Sequence, residues 1–239
     1  MKKMMMALVL PLLLFGSCKK DLIEYEQGNV KIAVEPGDAW LHDFSVFMGI
    51  TKKNPPQMAV WIEDMDGNYL STVYATHKIA TQSWQASGGN RRKEALPHWC
   101  YSRGVQYSDG LYLPTKDRPL TDGISGATPR GRFDLKLIPG DNLKRFVVKV
   151  EINHSTDFND AYPESAKEGN PDYSGGKHGS GQPAVVYAAQ VDMTSGAKDF
   201  EAKLIGHSSP DGTSGQVDPD VSGLTSALDI VKRITIHIQ

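Results

Sequence analysis

Apolar and polar residues alternate along much of this chain, so the dominant period in the sequence is two. Val30, Ile32 and Val34 share one face of the first such segment, and polar or small residues stand between them. The same alternation recurs in the segments 58–63, 132–137 and 145–152. A period of two with one apolar face is typical of strands that pack on a core through one side and meet water through the other. These four segments are therefore predicted strands.

Further strands are predicted at 69–76, 183–191, 198–205 and 231–238, with a weaker one near 44–50. Helix is predicted only at 91–96, before Pro97, and at 225–228. Residues 64–68 read Asp-Met-Asp-Gly-Asn, which favours a hairpin turn, and the later acidic ligands of a calcium loop are missing. Eight or nine strands with little helix predict an all-β fold, an immunoglobulin-like antiparallel β-sandwich with long ordered loops.

Three long connections separate the predicted strands, at about 77–130, 153–182 and 206–224. Connections of this length in a compact domain are usually functional or disordered. Trp84, Trp99 and several tyrosines lie in them, so we expect these loops to fold back and pack. Any binding or catalytic chemistry is expected there.

The first eighteen residues have the order of an export signal. Lys2 and Lys3 precede a short apolar run at 4–15, and Gly16 and Ser17 lead into Cys18. This arrangement resembles the lipobox of bacterial lipoproteins, in which the cysteine is acylated. An ordinary cleaved signal with a chance cysteine is the alternative.

The export signal implies a division into a lipoprotein signal peptide at 1–17, a polar tether at 18–28 and a single β-sandwich domain at 29–239. With Cys18 as the lipid attachment site, the chain is expected in the cell envelope, anchored to a membrane and facing the periplasm or the surface. A bacterial lipoprotein of this kind is often held at the outer membrane.

Composition narrows the range of partners. The formal net charge is −2 and no long basic run occurs, which argues against nucleic acid. Only two cysteines are present, so lipidation of Cys18 leaves Cys100 without an internal disulfide partner. The sequence contains no Gly-x-Ser-x-Gly nucleophile motif, no His-Glu-x-x-His zinc motif and no Cys-x-x-Cys motif. Neither a catalytic residue nor a metal site is predicted.

The segment 121–128, Thr-Asp-Gly-Ile-Ser-Gly-Ala-Thr, resembles the acceptor sequence of periplasmic flavin transferases. In such substrates FMN is joined through its phosphate to the last threonine, here Thr128. The small residues let the backbone bend into another active site, and Arg130 or Arg132 is placed to pair with the diester. The predicted cofactor-binding set is Asp122, Gly123, Ser125, Gly126, Ala127, Thr128 and Arg130. The alternative is a glycine-containing turn that begins the strand at 132–138.

A second polar group follows the strand at 145–152. It consists of Asn153, His154, Asp157, Asn159 and Asp160. Such side chains at short spacing suit a cation or a polar ligand. Asn and Asp also hold loops together through their own side chains, which is the alternative.

Several phrases together resemble the predicted periplasmic family known as domain of unknown function 2271. They are the segments 56–64, 84–99, 122–129, 151–155, 157–160 and 180–183. The resemblance covers roughly 29–238. It implies an extracytoplasmic protein, often encoded near membrane flavoproteins and flavin transferases, to which no activity is firmly attached.

Two functions follow from these observations. The first is a redox-associated accessory lipoprotein that carries FMN covalently on Thr128 or docks to a flavin transferase or a membrane redox protein. The second is a non-catalytic binding module that recognises a protein or a polar ligand through its loops. A hydrolase or metal enzyme that uses His154, Asp157 and Asp160 is a third, lesser alternative. An accessory or binding role is favoured over catalysis.

Overall fold

The structure is a computed structural model that describes residues 28–47, 50–84, 91–140 and 142–239. The predicted signal peptide, Cys18 and the tether up to residue 27 lie outside the described residues. Among the residues described, no helix has the length and apolar character needed to cross a membrane.

The described chain is nearly all β, which confirms the predicted fold class. Its strands are β1 (Val30–Pro36), β2 (His42–Phe47), β3 (Ile50–Asn54), β4 (Gln57–Glu63), β5 (Tyr69–Thr76), β6 (Ile124–Gly126), β7 (Phe133–Leu137), β8 (Arg145–Asn153), β9 (Val185–Asp192), β10 (Asp199–Glu201), β11 (Lys203–Ser208), β12 (Val217–Asp218) and β13 (Val231–Ile238).

Helix is short and sparse. The two α-helices are α1 (His77–Thr81) and α2 (Pro97–Ser102), and single 3-10 turns span Gly176–His178 and Ser226–Asp229. The helix predicted at 91–96 is wrong, because α2 begins at Pro97 instead of ending before it. Proline suits the first position of a helix, since its fixed φ is already helical and the missing N–H is not needed there.

Two sheets pack face to face. The smaller sheet has the order β10-β13-β1-β7, and the larger has the order β12-β11-β9-β8-β4-β5-β6. The hairpin β2–β3 stands apart from both. Val34 and Phe133 of the small sheet and Val60 and Val148 of the large sheet belong to one buried cluster between the sheets. The alternating positions seen in the sequence are the residues that fill this core.

Strand β4 of the large sheet is buried on both faces, which differs from the expected one-sided strands. Ala59 and Trp61 of β4 point away from the sandwich core, yet both are fully buried. They pack in a second cluster with residues of the long 77–120 segment, including Leu96 and Trp99. The segment is thus a covering layer, as the aromatic content of the loop predicted.

Two segments depart from the predicted strands, one in its direction and one in its number of strands. Strand β6 pairs with β5 in parallel, with Tyr74 opposite Ile124. The single strand predicted at 198–205 is two strands, because β10 pairs with β13 of the small sheet and β11 pairs with β9 of the large one. The chain crosses between the sheets near Ala202, so one extended segment serves both layers.

The predicted hairpin turn between β4 and β5 is confirmed. Asp64 accepts hydrogen bonds from the backbone N–H groups of Asp66 and Asn68, at 2.9 and 2.8 Å. A hydrogen bond from the Asn68 side chain, together with these backbone hydrogen bonds, holds the pKa of the Asp64 carboxyl below its ordinary value. Gly67 takes a φ of +85°, a left-handed conformation that favours glycine. The acidic residues at 64–66 therefore serve a turn.

Candidate functional site

A cleft of about 210 Å³ opens beside the β2–β3 hairpin, α1 and the loop after β8. Three histidines and two cations form much of its wall, namely His42, His154, His178, Lys78 and Arg92. The rest of the wall is Phe44, Asn54, Pro55, Gln57, Trp84 and Ser155. None of these lining residues is acidic. We call this site the histidine–arginine cleft.

Arg92 is the most firmly held cation of the cleft. Its guanidinium lies 4.6 Å from the centroid of the Trp84 ring, a cation–π contact. It donates from Nε to Glu94 at 2.8 Å, and from Nη1 and Nη2 to the hydroxyls of Ser155 and Ser180 at 2.6 and 3.1 Å. A guanidinium has five N–H donors, so two remain for another acceptor. The charge is fixed in position before any ligand arrives.

His154 forms a neutral part of the same wall. Its Nε2 lies 2.9 Å from the carbonyl oxygen of Ala39. A carbonyl can only accept, so Nε2 carries the proton and Nδ1 is left as an acceptor. Burial lowers the pKa of His154 to about 4, and the nearby His42 ring, at 5.1 Å between centroids, acts in the same direction. The ring is therefore uncharged at neutral pH.

Lys78 gives the cleft its net positive character. Glu94 lies outside the lining and balances the charge of Arg92. Lys78 is exposed, and its ammonium group lies 5.6 Å from the Trp84 ring centroid. Trp84 thus contacts two cations. Lys78 forms no ion pair with a described residue, so its charge is available to a negatively charged group that enters the cleft.

Gln57 adds an acceptor to the cleft. Its Oε1 is buried and has no hydrogen-bond partner among the described residues. An unpaired buried acceptor costs roughly 1–3 kcal/mol, which a donor from a ligand would recover. A ligand that brings a hydroxyl beside its negative charge therefore matches the wall.

The loop behind the cleft is held by a crossing of two chain segments. Asp157 donates its backbone N–H to Ser180 and accepts from the backbone N–H of Gln182, both at 2.8 Å. Gly181 lies between them with a φ of +77°, and an added Cβ would come within 2.4 Å of the Asp157 carbonyl. Only glycine allows the two backbone segments to come this close. Their contact holds Ser180 where its hydroxyl accepts from Arg92.

The predicted polar group after β8 divides between the cleft and the loop. His154 lines the cleft, whereas the two carboxylate oxygens of Asp157 share one hydrogen bond from the Ser226 hydroxyl, at 2.7 and 2.9 Å. Asp157 Oδ1 also lies 3.9 Å from Nδ1 of His42. The Asn153 side chain donates to the Gln182 carbonyl, at 3.2 Å.

The last two members of that polar group lie outside the cleft. Asn159 donates to the carbonyl of Gly223 and accepts from the N–H of Tyr162, at 3.0 and 2.8 Å. Asp160 is exposed. In the described part of the chain, no group of three or more His, Cys, Asp or Glu side chains is arranged to hold a metal ion.

The predicted flavin-acceptor segment is built into the edge of the large sheet. Residues 124–126 form β6, and the hydroxyl of Tyr74 donates to the Gly126 carbonyl at 3.1 Å. Thr128 is 6% exposed, and its Oγ1 lies 2.7 Å from Oγ1 of Thr76. The acceptor hydroxyl is thus buried and already hydrogen-bonded.

The flanking residues of that segment have separate partners. Asp122 accepts from the hydroxyl of Tyr69, and Arg130 donates to the Lys53 carbonyl at 2.8 Å. Ser125 and Ala127 are exposed. Gly123 packs against Thr72, since a Cβ there would lie 2.7 Å from its methyl group. In the described chain, Arg130 and the Thr128 hydroxyl therefore have different hydrogen-bond partners.

Sequence reasoning assigned no binding role to several residues of the cleft: His42, Lys78, Trp84, Arg92 and His178. Arg92 is separated from Ser155 and Ser180 by 63 and 88 positions, so no local pattern joins them. The sequence offered one indication of the cleft: Trp84 is predicted to pack, so the loop around it is expected to be ordered. No protein-family model, curated protein or solved structure matches this chain.

Proposed function

We propose that this protein is a non-catalytic binding module of the cell envelope that binds a small anionic ligand in the histidine–arginine cleft. One observation carries the proposal: the cleft contains Lys78 and Arg92, and none of the described residues that line it is acidic. Its volume of about 210 Å³ suits a ligand smaller than the drug-sized molecules that fill most protein pockets.

The wall supports recognition by charge and by hydrogen bonds together. Lys78 and the two unused donors of Arg92 supply attraction for an anion, while Gln57 Oε1 and His154 Nδ1 accept from hydroxyl groups. Phe44 and Pro55 add apolar surface. A hydroxy acid or an acidic sugar brings a negative charge, hydroxyl groups and some apolar surface. An uncharged sugar lacks the negative charge.

The hydrogen bonds of the cleft favour binding over catalysis. A nucleophilic serine needs a base within hydrogen-bonding reach. Ser155 instead accepts from Arg92, and the protonated nitrogen of His154 is engaged by Ala39. In the described chain, both side chains are therefore used to build the wall.

A titration of the full chain tests the proposal. D-glucuronate, inorganic phosphate and D-glucose are added separately in a calorimeter at pH 7. We expect at least one of the two anions to bind and glucose not to bind. Lys78→Gln should weaken the anion by about fivefold or more, because it removes the uncompensated charge.

Lys198→Gln is the matched control, since Lys198 is exposed and lies outside the cleft. It should bind like the parent. Failure of both anions, equal binding of glucose, or an unchanged Kd in Lys78→Gln would overturn the proposal.

Covalent attachment of FMN to Thr128 stays a prediction. The Thr128 hydroxyl is buried against Thr76, so a transferase would reach it only after the 124–128 segment leaves the sheet edge. The intact mass of protein from its own host, with an active transferase present, measures this directly. An added FMN mass abolished by Thr128→Ala is the result that attachment requires.

A further inference from the structure

A second cavity, of about 430 Å³, lies on the covering layer of the large sheet and is separate from the histidine–arginine cleft. Tyr69, Arg103, Tyr107, Arg118 and Asp122 are among the residues that line it. None of these five lines the cleft. The volume lies within the roughly 300–1,000 Å³ of small-molecule sites. We call it the Arg103 cavity.

The Arg103 side chain is buried in the wall of this cavity, and two of its nitrogens meet no acceptor within the described ranges of the chain. Its side chain is 5% exposed and its guanidinium lies 5.1 Å from the Trp99 ring centroid. Nε and Nη1 have no hydrogen-bond partner among the described residues. A guanidinium removed from water is costly unless acceptors meet its donors.

The nearest carboxylate does not meet this need. Asp122 Oδ1 lies 3.9 Å from Arg103 Nη2, which is beyond hydrogen-bonding distance. The other oxygen of Asp122 accepts from the hydroxyl of Tyr69, and that hydroxyl also lies 2.6 Å from Thr72 Oγ1. Tyr69 thus holds Asp122 beside Arg103 but short of a hydrogen bond, so the guanidinium keeps its unused donors.

The lining of the cavity includes a second arginine. The Arg118 guanidinium lies 5.6 Å from the Tyr107 ring centroid, and Arg118 is exposed. Val105, 41% exposed, adds apolar surface to the lining. Asp117 and Asp122 also line the cavity, and their charges oppose a multiply charged anion more strongly than a monoanion.

We propose that the Arg103 cavity binds a carboxylate, with Arg103 and Arg118 as its cationic contacts and Val105 and Tyr107 against its apolar part. A carboxylate matches the donor fork of a guanidinium, and its single negative charge meets less repulsion from Asp117 and Asp122 than the charge of inorganic phosphate does. The carboxylate belongs either to a free organic acid or to the C-terminus of a peptide. This site goes beyond the proposed function and does not depend on it.

The test uses the full chain with benzoate, inorganic phosphate, and the tripeptide Gly-Gly-Phe with a free or an amidated C-terminus. Binding is measured by calorimetry and by the NMR signal of the Arg103 Nε–H. We expect benzoate or the free-acid peptide to bind and to shift that signal, with phosphate at least tenfold weaker. The better of the two carboxylates identifies the source, and the amidated peptide should not bind.

Two variants with opposite effects make the test specific. Arg103→Lys should weaken carboxylate binding at least tenfold, because lysine keeps the charge but loses the planar fork. Asp122→Asn should strengthen it about threefold or more, because a competing negative charge is removed. Asp66→Asn, in the exposed turn between β4 and β5, is the matched control and should change nothing.

The Asp122→Asn arm remains informative if Arg103→Lys does not fold, since Asp122 is on the surface. The proposal is overturned if neither benzoate nor the free-acid peptide binds the parent and Asp122→Asn. An unchanged affinity in folded Arg103→Lys would also overturn it. Lys78→Gln should leave carboxylate binding here unaltered, which separates this site from the histidine–arginine cleft.

Discussion

Glu151 shows at the residue scale how a polar position in a strand acquires a structural role. It lies on the polar side of β8 in the sequence pattern, yet it is fully buried. Its carboxylate accepts from the backbone N–H groups of His98 and Trp99, at 3.1 and 2.7 Å, and from the hydroxyl of Ser208. One side chain therefore ties the covering layer to the sheet.

The burial of Glu151 predicts a pH dependence of stability. Burial raises its pKa from 4.5 to about 7 in the folded protein, although the three hydrogen bonds oppose the shift. The folded state thus binds this proton more tightly than the unfolded state. The contribution of Glu151 is fully present below about pH 4.5 and is lost as the pH rises through about 7.

Urea unfolding of the parent and of Glu151→Gln between pH 4 and 8 measures this effect. The variant has no proton to lose, so the difference in unfolding free energy between the two proteins should change across that window. Loss of an acceptor for a buried N–H should also destabilise the variant at pH 4 by about 1–3 kcal/mol. Glu164→Gln, at an exposed position, is the control, and a difference that does not vary with pH contradicts the prediction.

At the scale of elements, the covering layer is held by its own apolar cluster. Leu96 and Trp99 are fully buried against Ala59 and Trp61 of the large sheet. The layer also contains α1, α2 and most of the lining of the Arg103 cavity, including Arg103 and Arg118. Its packing consequently determines where the second proposed site lies.

Leu96→Ala should destabilise the protein by about 2–5 kcal/mol, because a buried leucine leaves both lost burial and a cavity. Chemical denaturation measures the change. Leu70→Ala is the matched control, since Leu70 is 42% exposed and should change stability little. A loss in Leu96→Ala no larger than in Leu70→Ala would show that the layer is not packed on the sheet as described.

At the scale of the whole molecule, both proposed sites lie in the connections around a single two-sheet core. The cleft and the Arg103 cavity both use residues of the 77–130 connection. Arg92 and Arg103, whose unused N–H donors are the basis of the two proposals, lie in this connection. In many proteins the binding residues lie in loops, and a core of regular secondary structure holds these loops in position. The predicted lipid at Cys18 would keep such a module close to its membrane.

Membrane attachment is the prediction that concerns the whole chain. We expect wild-type protein to fractionate with membranes and to incorporate labelled palmitate, because acyl chains at Cys18 partition into lipid. Cys18→Ala should do neither, while Cys100→Ala, at a buried cysteine, should behave as wild type. Identical soluble behaviour of wild type and Cys18→Ala would exclude the anchor.

The strands could be read from the sequence because their cause is local. Alternation of apolar residues around Val34, Val60 and Val148 marks which side chains face a core, and Gly67 marks a turn. The same local rules failed at Pro97, where a helix begins, and at 198–205, where one extended segment joins two sheets. Extended backbone looks alike whichever strand it pairs with.

The sites could be read only in part. His154 was singled out from the sequence and lies in the cleft, but nothing near Arg92 in the sequence indicates Ser155 or Ser180. Arg103 shows no local sign of its burial or its unused donors. Contacts of this kind join positions far apart in the chain, so they exist only once the covering layer has packed.

The sequence alone thus determined the all-β class, the main strands, the hairpin turn and the order of an export signal. Tertiary structure alone decided which polar side chains were buried and what met them, as with Glu151, Thr128 and Arg103. The physical reason is that a period of two assigns each side chain to a face of the sheet. Whether water or another layer covers that face depends on the packing of distant segments.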